Sequence, residues 1–314
     1  MTDQFPQFTD SEIASLRGDR IDVSPKQPYA MLVEPERNAS GEVIDVATIF
    51  LTNRECPFRC LMCDLWKNTL TETVAEGDIP GQIQFALDQL PAAREVKLYN
   101  SGSFFDRKAI PPEDYAEIAT LVRGFDTVIV ENHPKLCSDA CETFRDLIAP
   151  AQLEIAIGLE TCHPELLQTL NKGMQLSDFD SALRRLHDLD IRTRVFLLQS
   201  LPYLTKDEAI DWTLRSIDYA LDRGVSCCSV IPTRSGNGMM ETLVSQGKFS
   251  LPTSASLETV AELGLQRKSG RVFIDLWDCE RFFLCDHCRS RRVERLRQMN
   301  LTQTVLEPIE CPHC

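Results

Sequence analysis

The stretch that decides this chain's fold reads Thr52-Asn53-Arg54-Glu55-Cys56-Pro57-Phe58-Arg59-Cys60-Leu61-Met62-Cys63-Asp64. It grows out of Val46–Thr52, an apolar, β-branched run of strand length. The cysteines therefore lie in the loop at a strand's C-terminal end, where parallel α/β folds build their sites. Three thiolates spaced Cys-x3-Cys-x2-Cys suit one side of a 4Fe-4S cubane, which normally takes four cysteines. Using three leaves one iron open to an external chelator. A structural zinc knuckle would want a fourth Cys or His close by, and this loop offers none. Inert core cysteines are the other alternative, but three in one polar, proline-containing loop would be unusual.

Working outward from Val46–Thr52, short apolar runs recur at Glu95–Asn100, Thr127–Glu131, Leu153–Gly158, Arg192–Leu198 and Val225–Ile231. Amphipathic helices are expected between them. One follows Pro80, one starts near Pro112, one is capped by Ser138, one begins near Thr161 and one covers Phe179–Asp188. The last carries a Thr205/Glu208 capping box and ends at Gly224. Six strands alternating with helices predict a parallel sheet with right-handed crossovers. An open doubly wound sheet and a partial barrel fit that alternation equally. Residues 1–45 read as an N-terminal extension, with a short helix over Ser11–Arg17 behind a Thr9/Glu12 capping box. The stretch Val23–Gly41, with prolines at 25, 28 and 35, reads as loop. Residues 46–236 form the core and 237–314 a C-terminal extension, in which Arg271–Leu276 is one more strand candidate.

The formal charge of -14 argues against a general nucleic-acid-binding surface, while leaving room for a local basic patch. No run is long and apolar enough to span a bilayer, and Met1–Asp10 lacks the basic start and apolar core of a secretory signal. The reading is cytoplasmic, with no membrane partner. In a reducing compartment tight cysteine clusters point to metal or redox chemistry. Seven of the thirteen cysteines fall in two such clusters.

The second cluster is Cys285-Asp286-His287-Cys288 with Cys311-Pro312-His313-Cys314. Paired Cys-x2-Cys knuckles supply four tetrahedral sulfurs, the pattern of a structural zinc site, with a second iron-sulfur cluster or a redox pair as alternatives. Between the knuckles Arg289, Arg291, Arg292, Arg295 and Arg297 outweigh Glu294. They form either a solvated helix face or a contact for substrate RNA. Cys137, Cys141, Cys162, Cys227, Cys228 and Cys279 read as ordinary thiols, and His187 as solvated. His133, beside a strand end, faces substrate or makes a turn hydrogen bond.

At the front motif the chain resembles the radical S-adenosylmethionine (SAM) superfamily. Several strand ends resemble the branch that holds the elongator catalytic subunit and the tRNA methylthiotransferases. These are Tyr99-Asn100-Ser101-Gly102-Ser103-Phe104, Glu131-Asn132-His133-Pro134, Gly158-Leu159-Glu160-Thr161, Leu170-Asn171-Lys172-Gly173 and Pro232-Thr233-Arg234-Ser235-Gly236. Within that branch the chain is similar to the radical SAM subunit of archaeosine synthase, through Met62, the Ser101–Phe104 string and the acid-proline segment. The resemblance implies a partial (β/α)6 TIM-type barrel of parallel strands, with the N-terminal extension on one side and a small Cys-rich zinc-knuckle region on the other. It implies SAM on the open iron, and a low-potential electron donor. The electron then cleaves SAM to a 5′-deoxyadenosyl radical that abstracts a substrate hydrogen. Ser101 and Ser103 are the expected hydrogen-bond partners of the SAM methionine end, Gly102 and Glu131 are further expected cofactor contacts, and Arg234 is expected near adenine. Glu160 would accept from ribose hydroxyls or the ammonium, unless it is a plain surface carboxylate.

Arg192 and Arg194 share one strand face, so at least one needs an anionic partner: the SAM carboxylate or an internal acid for Arg194. Gln199 carries the same ambiguity. Met62 stands where the superfamily usually has an aromatic residue, and Asn100–Ser103 lacks an acid that many members carry there. The expected activity is radical SAM chemistry, of lyase or transferase type, on a modified tRNA base. The alternatives are a small-metabolite substrate or a non-catalytic iron-sulfur or zinc protein.

Overall fold

The structure, a computed structural model, describes residues 5–314. Eight strands form one sheet in sequence order: β1 (Ala30–Arg37), β2 (Val43–Phe50), β3 (Glu95–Tyr99), β4 (Thr127–Asn132), β5 (Gln152–Glu160), β6 (Arg192–Gln199), β7 (Cys227–Pro232) and β8 (Arg271–Ile274). β1 runs antiparallel to β2, and every later pair is parallel. Helices α2 (Asp78–Leu87), α3 (Tyr115–Val122), α4 (Asp139–Ile148), α6 (Leu176–Asp188), α7 (Lys206–Leu221) and α9 (Ser254–Leu265) provide the crossovers; the short α5 (Pro164–Thr169) precedes α6, and α8 (Met239–Ser245) precedes α9. The result is a half-barrel with α1 (Asp10–Ser15) before it and α10 (Arg289–Thr302) after it. Among the described residues no helix is long and apolar enough to cross a membrane.

Strand alternation separates two faces. Val96, Leu98, Val128, Val130, Val195 and Leu197 face the helices and pack with Ile83, Ile118, Phe144, Phe179 and Ile217 in one continuous core. The opposite, concave face carries Lys97, Glu154, Arg194 and Arg271, and β1 adds Glu36. Lys97 Nζ lies 2.5 Å and Arg194 Nη2 2.6 Å from Glu36. Arg194 Nε is 2.7 Å and Arg271 Nη2 3.4 Å from Glu154. Desolvation works against the charge of Glu36, but Arg194 and Lys97 outweigh it and hold the carboxyl far below its usual range. This network answers the choice left open for Arg194. Its partners are internal acids, so it is corrected from SAM contact to ion-pair floor.

The floor also explains a misread element. Ala30–Arg37 is a strand, not the loop suggested by its prolines. Pro35 is tolerated because β1 is an edge. Glu36 points inward, where an apolar residue is usually sought, because its partners come from β3 and β6, while the exposed Glu34 reaches Lys97 from the rim at 3.5 Å. β1 and β8 are the two sheet edges. Side chains bridge the opening: Arg271 donates to the Arg37 carbonyl at 3.0 Å, and Arg37 to the Leu301 carbonyl of α10 at 3.2 Å. The sheet thus has two strands beyond the six of the core: β8, expected at Arg271–Leu276, and β1, which the sequence did not suggest.

Candidate metal centre and cofactor site

The front cysteine loop is pinned from several sides. Glu55, just before Cys56, accepts from Arg17 Nη1 at 2.6 Å and Arg59 Nη1 at 3.0 Å, and pairs with Arg20. Arg59 Nη1 also donates to the Cys56 carbonyl at 2.5 Å. Asn237 Nδ2 donates to the Leu61 carbonyl at 2.7 Å. The N-terminal segment crosses this loop: Ile13 of α1 packs with Leu61 and with Met239, Met240 and Leu243 of α8. Gly238 makes that crossing possible, because a Cβ there (φ +90°) would sit 1.7 Å from the Leu16 carbonyl oxygen. Cys56, Cys60 and Cys63 are half-buried, and lost solvation pushes each thiol up to about 12.

Around the loop stand the strand ends expected to hold a cofactor. Glu131, at the end of β4, accepts the backbone N–H of Asn100 at 2.5 Å and of Gly102 at 3.3 Å. Burial nevertheless raises it to about 7, against those hydrogen bonds. Gly102 lies against Cys56; a Cβ on it would be 3.4 Å from the Cys56 Cβ. Ser101 Oγ is 2.8 Å from the Tyr29 hydroxyl, and Ser103 Oγ accepts the His133 N–H at 3.0 Å. Glu160 is no surface carboxylate. It is buried and 2.8 Å from Lys172 Nζ. Gln199 is buried with its Nε2 unpartnered. Arg234 holds Asp275 at 3.1 Å and the Trp277 carbonyl at 2.6 Å, leaving its Nε free. The unpartnered buried atoms extend to both amide atoms of Asn100, Asn53 Oδ1 and Thr233 Oγ1. Buried polar groups normally find partners. A row of orphans at the C-terminal ends of β2, β3, β6 and β7 fits a polar ligand lying across the mouth.

His133 takes the turn role. Its Nε2 donates to the Lys172 carbonyl at 2.9 Å, its Nδ1 accepts from the Lys135 N–H at 3.2 Å, and its ring stacks on Phe58 at 3.7 Å. Burial and the Lys172 charge push it down to about 3. Lys172, Asn100, Asn237 and the Arg17/Arg20 clamp carried no assigned role in the sequence. Lys172 and Asn100 were signalled by the motif strings they stand in; Asn237 and the arginine clamp depend on distant contacts.

The C-terminal cysteines behave differently. The sulfurs of Cys285, Cys288, Cys311 and Cys314 all lie within 4.8 Å of one another. Cys285 and Cys311 are 3.8 Å apart, Cys288 and Cys314 3.6 Å. A single tetrahedral ion with metal–sulfur bonds of about 2.3 Å gives sulfur–sulfur edges of roughly 3.8 Å. Arg292 Nε donates to Cys288 Sγ at 3.2 Å and its guanidinium pairs with Glu258, tying the site to α9.

The arginine run between the knuckles is not a free basic face. Arg295 is buried, 2.7 Å from Glu262 and 3.4 Å from Glu258. Arg289 pairs with Asp286 at 2.5 Å and Arg297 with Glu294 at 2.6 Å. Of the five, Arg291 is the one without an acidic partner among the described residues. Of the two alternatives, helix face or RNA contact, this pairing weakens the second.

No family model matches the chain. In sequence it is 25% identical over 262 residues to archaeosine synthase subunit beta of Methanosarcina acetivorans, covering 78% of this chain and 74% of that protein. In fold it is similar to Elp3 of Methanocaldococcus infernus (TM-score 0.51, 13% identity, 69% of this chain and 57% of that one). It is equally similar to a radical SAM methyltransferase from Sphaerobacter thermophilus (TM-score 0.51, 15% identity, 84% and 80%). The chain has the radical SAM fold. The archaeosine synthase and Elp3 likenesses agree with the Elp3-like branch of the radical SAM superfamily indicated by the strand-end motifs. The three-cysteine loop follows β2, the first strand of the parallel run.

Proposed function

We propose that this protein is a cytoplasmic radical SAM enzyme that acts on a modified base of tRNA. The observation that carries the reading is the three-cysteine loop set beside a row of unpartnered buried polar atoms at the strand ends. Cys56, Cys60 and Cys63 hold the 4Fe-4S cluster, and Cys285, Cys288, Cys311 and Cys314 hold zinc. When bound, the cluster and SAM supply one-electron cleavage and hydrogen abstraction, with the electron coming from a low-potential donor. The protein's own work is to bind, orient and exclude water. Glu131, in its ionised form, and Ser101 receive the SAM ammonium, with Gly102 and Ser103 shaping the turn that presents them. Asn100, Gln199 and Arg234 supply hydrogen bonds to the rest of the cofactor, and Glu160 meets the ribose side. The ion-pair floor of Glu36, Lys97, Glu154 and Arg194 closes the barrel from below, while the N-terminal segment roofs the cluster loop. Both keep water from the reacting atoms.

The tRNA assignment draws on the likeness to archaeosine synthase subunit beta. A small-metabolite substrate gains support from the paired state of Arg289, Arg292, Arg295 and Arg297 in a chain of net charge -14. The reduced, reconstituted protein should convert SAM to 5′-deoxyadenosine, and a deletion strain should lack one modified nucleoside by mass spectrometry. Full cluster without SAM cleavage would contradict the enzyme reading. An unchanged nucleoside profile would favour the metabolite.

A further inference from the structure

We propose that Lys172 is a positioning residue that fixes a positive charge beside the cluster loop and so raises the cluster's reduction potential; this rests on the radical SAM reading above. The segment Leu170–Gly173 is stitched to the cysteine loop on both sides of Cys60. The Leu170 carbonyl accepts the Leu61 N–H at 2.9 Å, and Asn171 Nδ2 donates to the Arg59 carbonyl at 2.9 Å. A Cβ on Gly173 would meet the Phe58 ring at 3.0 Å. Lys172 sits between these contacts with its own carbonyl held by His133 Nε2 at 2.9 Å. Its ammonium is buried, with Glu160 Oε1 2.8 Å away. The molecule gives up regular backbone to place that pair. β5 breaks register between Gly158 and Glu160, and Glu160 adopts φ 67°, unfavourable for a side-chain-bearing residue. Gly158 leaves the space: a Cβ there would come within 2.5 Å of Glu160 Oε1 and 2.7 Å of Lys172 Nζ.

A buried ammonium is costly unless it has a use or a partner. Glu160 partners it, and the contacts on either side of Cys60 hold the pair's segment against the cysteine loop. Reduction adds one electron from the donor to a thiolate-ligated cluster, with no bond formed or broken. Charge and hydrogen bonding around such a cluster set its potential. A positive charge in low dielectric favours the reduced, more negative state.

The test is the midpoint potential of the reconstituted holoprotein without SAM, read by electron paramagnetic resonance at poised potentials. Lys172→Met should shift the cluster to lower potential, Lys172→Arg should restore it, and Glu160→Gln, which leaves the ammonium uncompensated, should shift it upward. Opposite signs for the two removals are what a merely structural role would not produce. A Lys172→Met protein with a full cluster and the wild-type potential would overturn the proposal, as would shifts of the same sign in both variants. If Lys172→Met fails to take up iron, Glu160→Gln decides alone: an upward shift supports the proposal, and no shift or a downward one overturns it. Wild-type protein that binds no cluster would instead sink the function proposed above, and this inference with it.

Discussion

The two cysteine clusters differ in the spacing of their sulfurs. The C-terminal four gather within 4.8 Å, as the ligands of one ion must. The front three form no such group among the described residues. In a cubane each thiolate takes a different iron, so its sulfurs stand farther apart. Their settings differ as well. The C-terminal site is braced by Arg292 and Glu258, with Arg295 and Glu262 continuing the network. The front site is surrounded by unfilled hydrogen-bonding capacity. A closed ligand set with satisfied neighbours marks a structural site, and an open set with orphaned neighbours marks a place for a ligand.

The largest effect should come from separating the clusters by mutation. The Cys56→Ala, Cys60→Ala, Cys63→Ala triple variant should lose its cluster iron and visible absorption while keeping its zinc. Cys285→Ala with Cys288→Ala should do the reverse, read by elemental analysis. Iron that disappears with the C-terminal pair would break the distinction. Next comes Arg295→Ala, which unpairs Glu262 while Glu258 keeps Arg292, and should cost about 3 kcal/mol in denaturant unfolding. Arg291→Glu on the same helix should change stability by about 0.5 kcal/mol or less. Loss of tRNA binding in the stable Arg291→Glu protein would restore a basic contact to that helix.

The smallest effect concerns Glu131. Its carboxyl stands at about 7 against an ordinary 4.5, so the folded state binds the extra proton between those values. Its contribution to stability is therefore fully present below pH 4.5 and is lost as pH rises through about 7. SAM, by presenting an ammonium, should bind more tightly as pH climbs across the same window. Glu131→Gln should flatten both trends, measured by thermal melts and SAM titration.

What the sequence made legible was local. The Thr9, Ser138 and Thr205 caps each depend on side chains that reach backbone two or three residues away, and all three are formed. The three-cysteine loop was legible because its spacing is itself the chemistry. What escaped was non-local. β1 was hidden because Glu36 is satisfied by Lys97, 61 residues on, and by Arg194, 158 residues on. The pairing of the arginine run was hidden for the same reason: Glu258 and Glu262, the acids that hold Arg295, lie on α9. Lys172 was visible as a motif residue, but its burial against Glu160 requires the bulge in β5 that no periodicity reveals.

The central claim is an iron-sulfur cluster with one iron left open by Cys56, Cys60 and Cys63. Electron paramagnetic resonance of the anaerobically reconstituted, reduced protein, recorded before and after SAM is added, tests it most directly. A 4Fe-4S signal that changes shape with SAM, and is absent from Cys60→Ala, is the predicted result. A signal indifferent to SAM, or zinc alone at these three thiols, would contradict it.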